Sequence, residues 1–227
     1  MPNTPTSSST SRRRPRQGPS IGTSLGEQAY VAIKRMILSG ALRAGEQINV
    51  AILAEQLKLG RSPVHMAIHR LDREGLVAVI PRKGILVKSE TLESFLELIA
   101  ARQLIEPYLA GQAMDHVSPE LLARLEELVA EGWKHHDGGN RLGGMEIDRL
   151  FHQALYDASG NSILADFAGQ LLDRSMVLWF RAPKGDEKRP NVAELESLLQ
   201  AIKNNDKTAA VTVMAEHIAS VRDKYLK

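Results

Sequence analysis

The chain has 227 residues, 43% of them apolar and 25% charged, with a formal net charge of +2 and no cysteine. That length and apolar content suffice for two modest domains, each with its own core. The lack of cysteine excludes a disulfide framework and a cysteine metal cluster. No apolar run approaches the roughly 20 residues needed to cross a bilayer.

Residues 1–22 are rich in Ser, Thr and Pro and carry Arg12, Arg13, Arg14 and Arg16. They lack the apolar core of a signal peptide, so a cytoplasmic location is expected. They read as a disordered basic arm that either brushes phosphate or a minor groove, or is simply solvated.

Residues 23–88 read as a winged helix-turn-helix. Ser24 with Glu27 three residues on is a capping box, and Ala29, Ile33, Met36 and Ile37 repeat at helical spacing until Gly40. A short extended piece, Gln47-Ile48-Asn49, precedes a helix over Val50 to Leu57. Gly60 is expected to make the tight turn, Ser62 to cap the next helix, and Pro63 to occupy its first position. That third helix buries Val64, Ile68 and Leu71 and ends at Gly75. Leu76 to Ile80 and Gly84 to Val87 then read as strands joined by the basic tip Pro81-Arg82-Lys83.

The segments LSGALRAGEQIN, LAEQLKLGRSPVHMAIHRLDREGLV and PRKGILV resemble, in order, the DNA-binding domain of GntR-family transcription regulators. The resemblance implies binding to a palindromic operator in double-stranded DNA by a homodimer. Charge agrees with a DNA partner: residues 1–88 hold 14 Lys and Arg against 5 Asp and Glu, whereas residues 89–227 hold 15 against 22. A cationic module gains affinity from phosphate by releasing counterions, and an anionic rear half orients it. Arg61, Ser62 and His65 at the start of the third helix are the candidates for base edges and phosphates, although Ser62 also serves as the expected cap. Arg82, Lys83 and Gly84 are expected at the minor groove or its backbone, with Arg35 and Arg43 adding phosphate contacts. Arg70 meets phosphate or bridges to Glu74 at i+4. GntR relatives usually carry arginine followed by glutamate where this chain has His65-Met66. A neutral imidazole cannot make arginine's bidentate fork with guanine, so a different sequence preference is expected.

Residues 91–227 read as helix after helix, about six in all, which is a bundle by the usual layer rules. Thr91 to about Met114 carries Phe95, Leu98, Ile99, Leu104 and Leu109 as an apolar stripe, and Ser118-Pro119 opens a helix to about Lys134. His135 to Asn140 reads as a loop, Met145 to Ala158 as a helix closed by Gly160, and Asn161 to about Arg181 as the next helix. Pro183 to Pro190 reads as a charged loop before two final helices, Val192 to Lys203 and Asp206 to Tyr225. The fold expected is mostly α, a winged helix-turn-helix with a small β wing followed by an all-helical bundle.

Asp148 and His152 stand four apart on one helix face, which suits half of a zinc or other divalent transition-metal site, or an ordinary core pair. Arg102 lies among apolar residues in the first bundle helix, where a guanidinium needs an anion. A carboxylate suits its fork, and an internal salt bridge to a glutamate such as Glu106, one turn away, is one way to meet that need.

Arg102 with Glu106, then DRLFHQALYDASGN, then NNDKTAAVTVMAEHI resemble the FCD effector domain of the FadR subfamily. The resemblance implies a dimerising bundle whose occupancy by a small molecule controls DNA affinity, most often in a repressor. It implies effector contacts at Arg102, with Tyr156 and Arg181 as further candidates, and a metal, zinc or nickel, on Asp148, His152 and His217. The family's remaining histidine is absent: Glu194-Leu195 stands where Glu-His is usual. Water or an effector carboxylate would complete a three-residue shell, or the site holds no metal. Two rival readings stand beside the regulator: a metal-dependent enzyme using Asp148, His152 and His217, and a DNA-binding protein without effector.

Overall fold

A computed structural model describes residues 23–179 and 190–225. The Ser24 hydroxyl accepts the Glu27 amide at 3.1 Å and starts α1 (Leu25–Leu38), which buries Ala29, Ile33 and Ile37 on one face. Gly40, just past its end, takes φ +73°, the left-handed conformation that glycine tolerates best. β1 (Gln47–Ile48) leads into α2 (Val50–Gln56), capped by the Asn49 side chain, and α3 (Arg61–Arg73) follows. β2 (Val77–Ile80) and β3 (Gly84–Val87) form the wing, and β1 joins β3 in an antiparallel sheet of order β1-β3-β2. Leu86 stands opposite Gln47 on one side and Ala78 on the other.

The turn before α3 differs from the sequence expectation. The Leu59 amide reaches the Ala54 carbonyl and the Lys58 amide reaches Glu55, a Schellman closure with Lys58, not Gly60, in the left-handed conformation at φ 54°. The chain is therefore already extended at Gly60, which is the N-cap of α3 without any side-chain cap bond. Ser62 and Pro63 consequently lie inside the first turn, and Ser62 does not cap.

Six α-helices follow among the described residues. They are α4 (Leu92–Ala113), capped by Thr91, then α5 (Pro119–Asp137), capped by Ser118, and α6 (Arg141–Ala158), capped by Asn140. α7 (Ser162–Trp179), α8 (Asn191–Lys203) and α9 (Lys207–Tyr225) complete the bundle. α4 packs against α6, α7 and α9 and forms its axis. His135, His136 and Asp137 continue α5 rather than forming a loop, and α6 begins four residues ahead of Met145.

Leu104 is not core: it is 80% exposed. The buried stripe of α4 runs through Phe95, Leu98, Ile99, Arg102, Glu106, Leu109, Ala110 and Ala113 in three- and four-residue steps, and Leu104 lies about 200° around the helix from Arg102. Two charged side chains thus occupy positions that an apolar count assigns to hydrophobic residues. A second apolar cluster ties the two domains, running from α1 and α3 to Leu172 and Met176 of α7. Arg181 and most of the loop from Pro183 to Pro190 lie outside the described residues, as does the basic arm.

Candidate functional site

The outer face of α3 is set by what its inner face buries. Val64, Ala67, Ile68 and Leu71 face the core, which leaves Arg61, Ser62, His65 and His69 exposed together on the opposite side. The wing tip is exposed too, with Arg82 at φ 65° and Gly84 at φ 96°. A Cβ at residue 84 would stand 2.8 Å from Gln47 Nε2, which donates to the Lys83 carbonyl at 3.2 Å. Gln47 therefore props the tip, a role the sequence reading missed. Arg43 is exposed in the loop before β1.

Arg35 and Arg70 sit elsewhere. Arg35 lines a cleft of about 1060 Å³ between the winged helix and the bundle, beside Arg73. Arg70 donates to Glu27 at 2.8 Å and to Glu74 at 3.0 Å, and its guanidinium lies 3.5 Å above the Tyr30 ring.

Inside the bundle, α6 and α9 bring Asp148, His152 and His217 together, with ligating atoms within 4.8 Å of one another. All three are buried. His152 Nε2 lies 3.0 Å from His217 Nε2, His217 Nε2 lies 3.3 Å from Asp148 Oδ1, and His152 Nε2 lies 3.9 Å from Asp148 Oδ2. Ligands on a tetrahedral zinc stand about 3.3 Å apart. Each histidine also has its other nitrogen fixed by a carboxylate: His152 Nδ1 to Glu106 at 2.8 Å and His217 Nδ1 to Glu194 at 2.8 Å. Carboxylates behind metal-binding histidines have this arrangement, aiming Nε2 inward and raising its basicity. Asp148 Oδ1 is buried without a hydrogen bond. The residues present therefore fit a divalent transition metal. Leu195 is buried in the bundle core.

Around this centre lies a charged shell. Arg102 donates to Glu106 through Nε and to Ser175 Oγ through Nη1 at 2.8 Å, so the Glu106 partner of the two alternatives is the one seen. The Tyr156 hydroxyl stands 3.3 Å from His152 Nδ1. Ser220 and Lys224 both contact Glu194. Burial opposes ionisation of Glu106, but Arg102 and His152 outweigh it and hold the carboxyl at about 2. Burial likewise opposes ionised Asp148, yet His217 brings it to about 2. Burial disfavours a charged His217, and the carboxylates of Asp148 and Glu194 on its two sides overcome this and lift it to about 9. Burial, with Glu106 adding to it, pushes the Tyr156 phenol well above its usual range.

Glu106, Glu194 and Ser175 were not singled out as parts of one site by the sequence. The linear signals are the spacing of Glu106 from Arg102 and the place of Glu194-Leu195 in the family pattern; Ser175, on another helix, has none.

Residues 25–87 match the family model of bacterial regulatory proteins of the gntR family, and residues 97–220 match that of the FCD domain. The HTH-type transcriptional regulator McbR of Escherichia coli (strain K12) is 27% identical over 200 residues, covering 85% of this chain and 90% of McbR. YdhC of Bacillus subtilis (strain 168), an uncharacterized HTH-type transcriptional regulator, is 27% identical over 192 residues, covering 84% of this chain and 86% of its own. The solved structure of E. coli McbR/YncC superposes with a TM-score of 0.79 at 27% identity, over 87% of this chain and 94% of that one. These relatives are regulators, not enzymes. No described helix is long and apolar enough to cross a membrane.

Proposed function

This chain belongs to the GntR family of bacterial regulatory proteins and is a transcription regulator with a helix-turn-helix DNA-binding domain and an FCD effector domain; from that premise we propose that it is a homodimeric repressor whose hold on a palindromic operator is set by a small acidic metabolite in the bundle. The observation that carries this reading is the buried centre of Asp148, His152 and His217, with Arg102 and Glu106 beside it. Five ionisable side chains at full burial are costly in a domain whose only task is to fold.

Asp148, His152 and His217 hold a divalent transition metal, zinc or nickel, in this reading. The metal supplies a Lewis-acidic anchor for a carboxylate, because three protein ligands leave a tetrahedral shell open. Arg102 is the second anchor, with a fork suited to carboxylate, and Tyr156 offers a hydroxyl close by. Arg181 is proposed to line the same cavity on the strength of the sequence alone. On the DNA side, Arg61, Ser62 and His65 read base edges, Arg82, Lys83 and Gly84 meet the backbone beside the wing, and Arg43 adds a phosphate contact, while Arg35, turned to the cleft, is left out of the DNA face.

A palindrome requires two recognition helices about one helical turn apart. α4 packs against α7, and Leu104 and Tyr108 of α4, 80% and 50% exposed, and Ile163 and Phe167 of α7, 81% and 48% exposed, are large apolar side chains that those two helices show to solvent at i, i+4 spacing. A second copy of the chain covers this paired i, i+4 apolar face in the proposed dimer.

The test uses full-length, metal-stripped protein and a duplex selected from a random library by that protein. Fluorescence anisotropy is followed while zinc, nickel and a series of short mono- and dicarboxylic acids are added. A change of DNA affinity that needs both metal and acid supports the reading. DNA binding indifferent to all of them overturns it in favour of a binder without effector.

A further inference from the structure

Three consecutive residues of α7 reach three different parts of the molecule. Asp173, buried, pairs with Lys34 of α1 and accepts from Arg149 Nε at 2.7 Å. Arg174 pairs with Glu90, between the wing and α4, at 2.7 Å. Its side chain also rests on Gly75 at the end of α3, where a Cβ would stand 3.2 Å from Arg174 Cδ. Ser175, buried, accepts from Arg102 at 2.8 Å. One short piece of helix thus touches the buried centre on one side and the winged helix on the other.

The contacts continue into the recognition helix. Lys34 Nζ donates to the Tyr30 hydroxyl at 2.7 Å and stands 3.4 Å from Glu74 Oε2. Glu74 is also the carboxylate that holds Arg70. A carboxylate shared by two cations divides its charge between them; Lys34 and Glu74 are largely buried and cannot be left unpaired, whereas Arg70, 43% exposed, is the partner that water can take over.

We propose that Asp173-Arg174-Ser175 is a coupling strut that carries the state of the buried centre to Arg70 of the recognition helix, by deciding how Glu74 is divided between Lys34 and Arg70. While Asp173 holds Lys34, Glu74 stays with Arg70, and the guanidinium is kept against Tyr30 and away from DNA. When Lys34 is released from Asp173 it falls back on Glu74, and Arg70 is left with Glu27, a carboxylate 42% exposed to solvent, as its remaining anionic partner, from which it turns to neutralise a phosphate. A ligand that takes Arg102 from Ser175 acts on α7 at this point. This last step rests on the reading that the bundle centre senses a ligand.

The experiment measures the affinity of the full-length protein for its selected duplex over a range of salt. Asp173→Asn is expected to bind tighter, with the slope of log affinity against log salt steeper by about one, the mark of one more neutralised phosphate. Lys34→Met is expected to bind more weakly. Both effects should vanish in an Arg70→Gln background, whereas a mere change of net charge would survive there. Survival of either effect in that background, or unchanged affinity in both single variants, overturns the strut. Circular dichroism melting of each variant checks that it is folded, and Lys34→Gln replaces Lys34→Met if that variant is not. Zinc titration of the wild-type protein by calorimetry tests the sensing reading separately: absence of zinc binding sinks that reading, while the strut stands or falls on the Arg70 background.

Discussion

His152 and His217 face each other through their Nε2 atoms at 3.0 Å, while each turns Nδ1 outward to a carboxylate 2.8 Å away. With both Nδ1 atoms donating, the inner nitrogens of two neutral rings would present lone pairs to one another. That contact is repulsive until a proton or a cation lies between them. The metal proposed for this centre would therefore compete there with a proton.

Zinc binding should accordingly release about one proton near neutral pH, since the ligand form of histidine is neutral. His217 is held charged up to about pH 9, so zinc affinity should rise with pH until that range is passed. Calorimetric titration in two buffers of different ionisation heat measures the protons released. Equal heats in both buffers would show that His217 does not carry the proton.

The metal-free protein has its own pH dependence. The folded-state value of His217, about 9, lies above the ordinary 6.5. Its contribution to stability is complete below 6.5 and is lost as pH rises through 9. Melting temperatures of wild type and His217→Gln should therefore differ most at about pH 6 and converge above about pH 9.5. Glu106 and Asp148, both held at about 2, work in the opposite sense, and their contributions disappear only as pH falls towards that value.

Glu194→Gln should leave the fold intact and weaken zinc binding by about 10- to 100-fold, the usual cost of losing a carboxylate behind a ligating histidine. Calorimetry gives the number. Affinity equal to wild type would mean that Glu194 orients nothing.

Arg102→Ala strands Glu106 without its main partner at full burial, and breaking a buried pair in this way costs about 3–5 kcal/mol. Arg102→Met with Glu106→Leu should melt well above Arg102→Ala alone, because it removes both charges. Thermal melting of the two variants decides the point, and the same single variant tests effector anchoring only after its stability is known.

On the DNA side, Arg61→Ala should relax sequence preference at one operator position, at a cost of about 1–3 kcal/mol if the contact is a bidentate base contact. Arg82→Ala should weaken all duplexes alike and lower the salt slope by about one. Competition binding with point-changed duplexes separates the two. For the dimer, Leu104→Glu should shift the sedimentation coefficient to that of a monomer at concentrations where the wild type is dimeric, and no shift would place the interface elsewhere.

The winged helix is legible in the sequence because its signals are local. Ser24 and Asn49 cap, Gly40 and Gly75 terminate, and the wing alternates around a basic tip. The exception is instructive: the sequence has a cap-like Ser62-Pro63, but the Lys58 closure extends the chain early and starts α3 two residues sooner. The buried centre is legible only where two partners share a helix, as Asp148 with His152 and Arg102 with Glu106 do. Glu106 behind His152 and Glu194 behind His217 cross between helices, so the sequence offers Glu106 as a partner for Arg102 and marks the Glu194-Leu195 position, but gives neither glutamate its histidine. Leu104 fails for the converse reason. Leucine favours the core, yet the stripe that faces inward is fixed by Phe95, Ile99 and Leu109, and charged residues of that stripe had to follow it in.

The Gln47 prop under the wing also limits the kinds of motion open to this regulator. The amide that donates to Lys83 belongs to β1, and the residue whose Cβ would strike it is Gly84 of β3. Tip and β1 are thereby tied together beyond the β1–β3 pairing itself. In the proposed dimer the adjustable quantity would be the angle at which two such wings meet the duplex, and the coupling proposed through α7 would act on charge at Arg70, not on the shape of the DNA-reading surface.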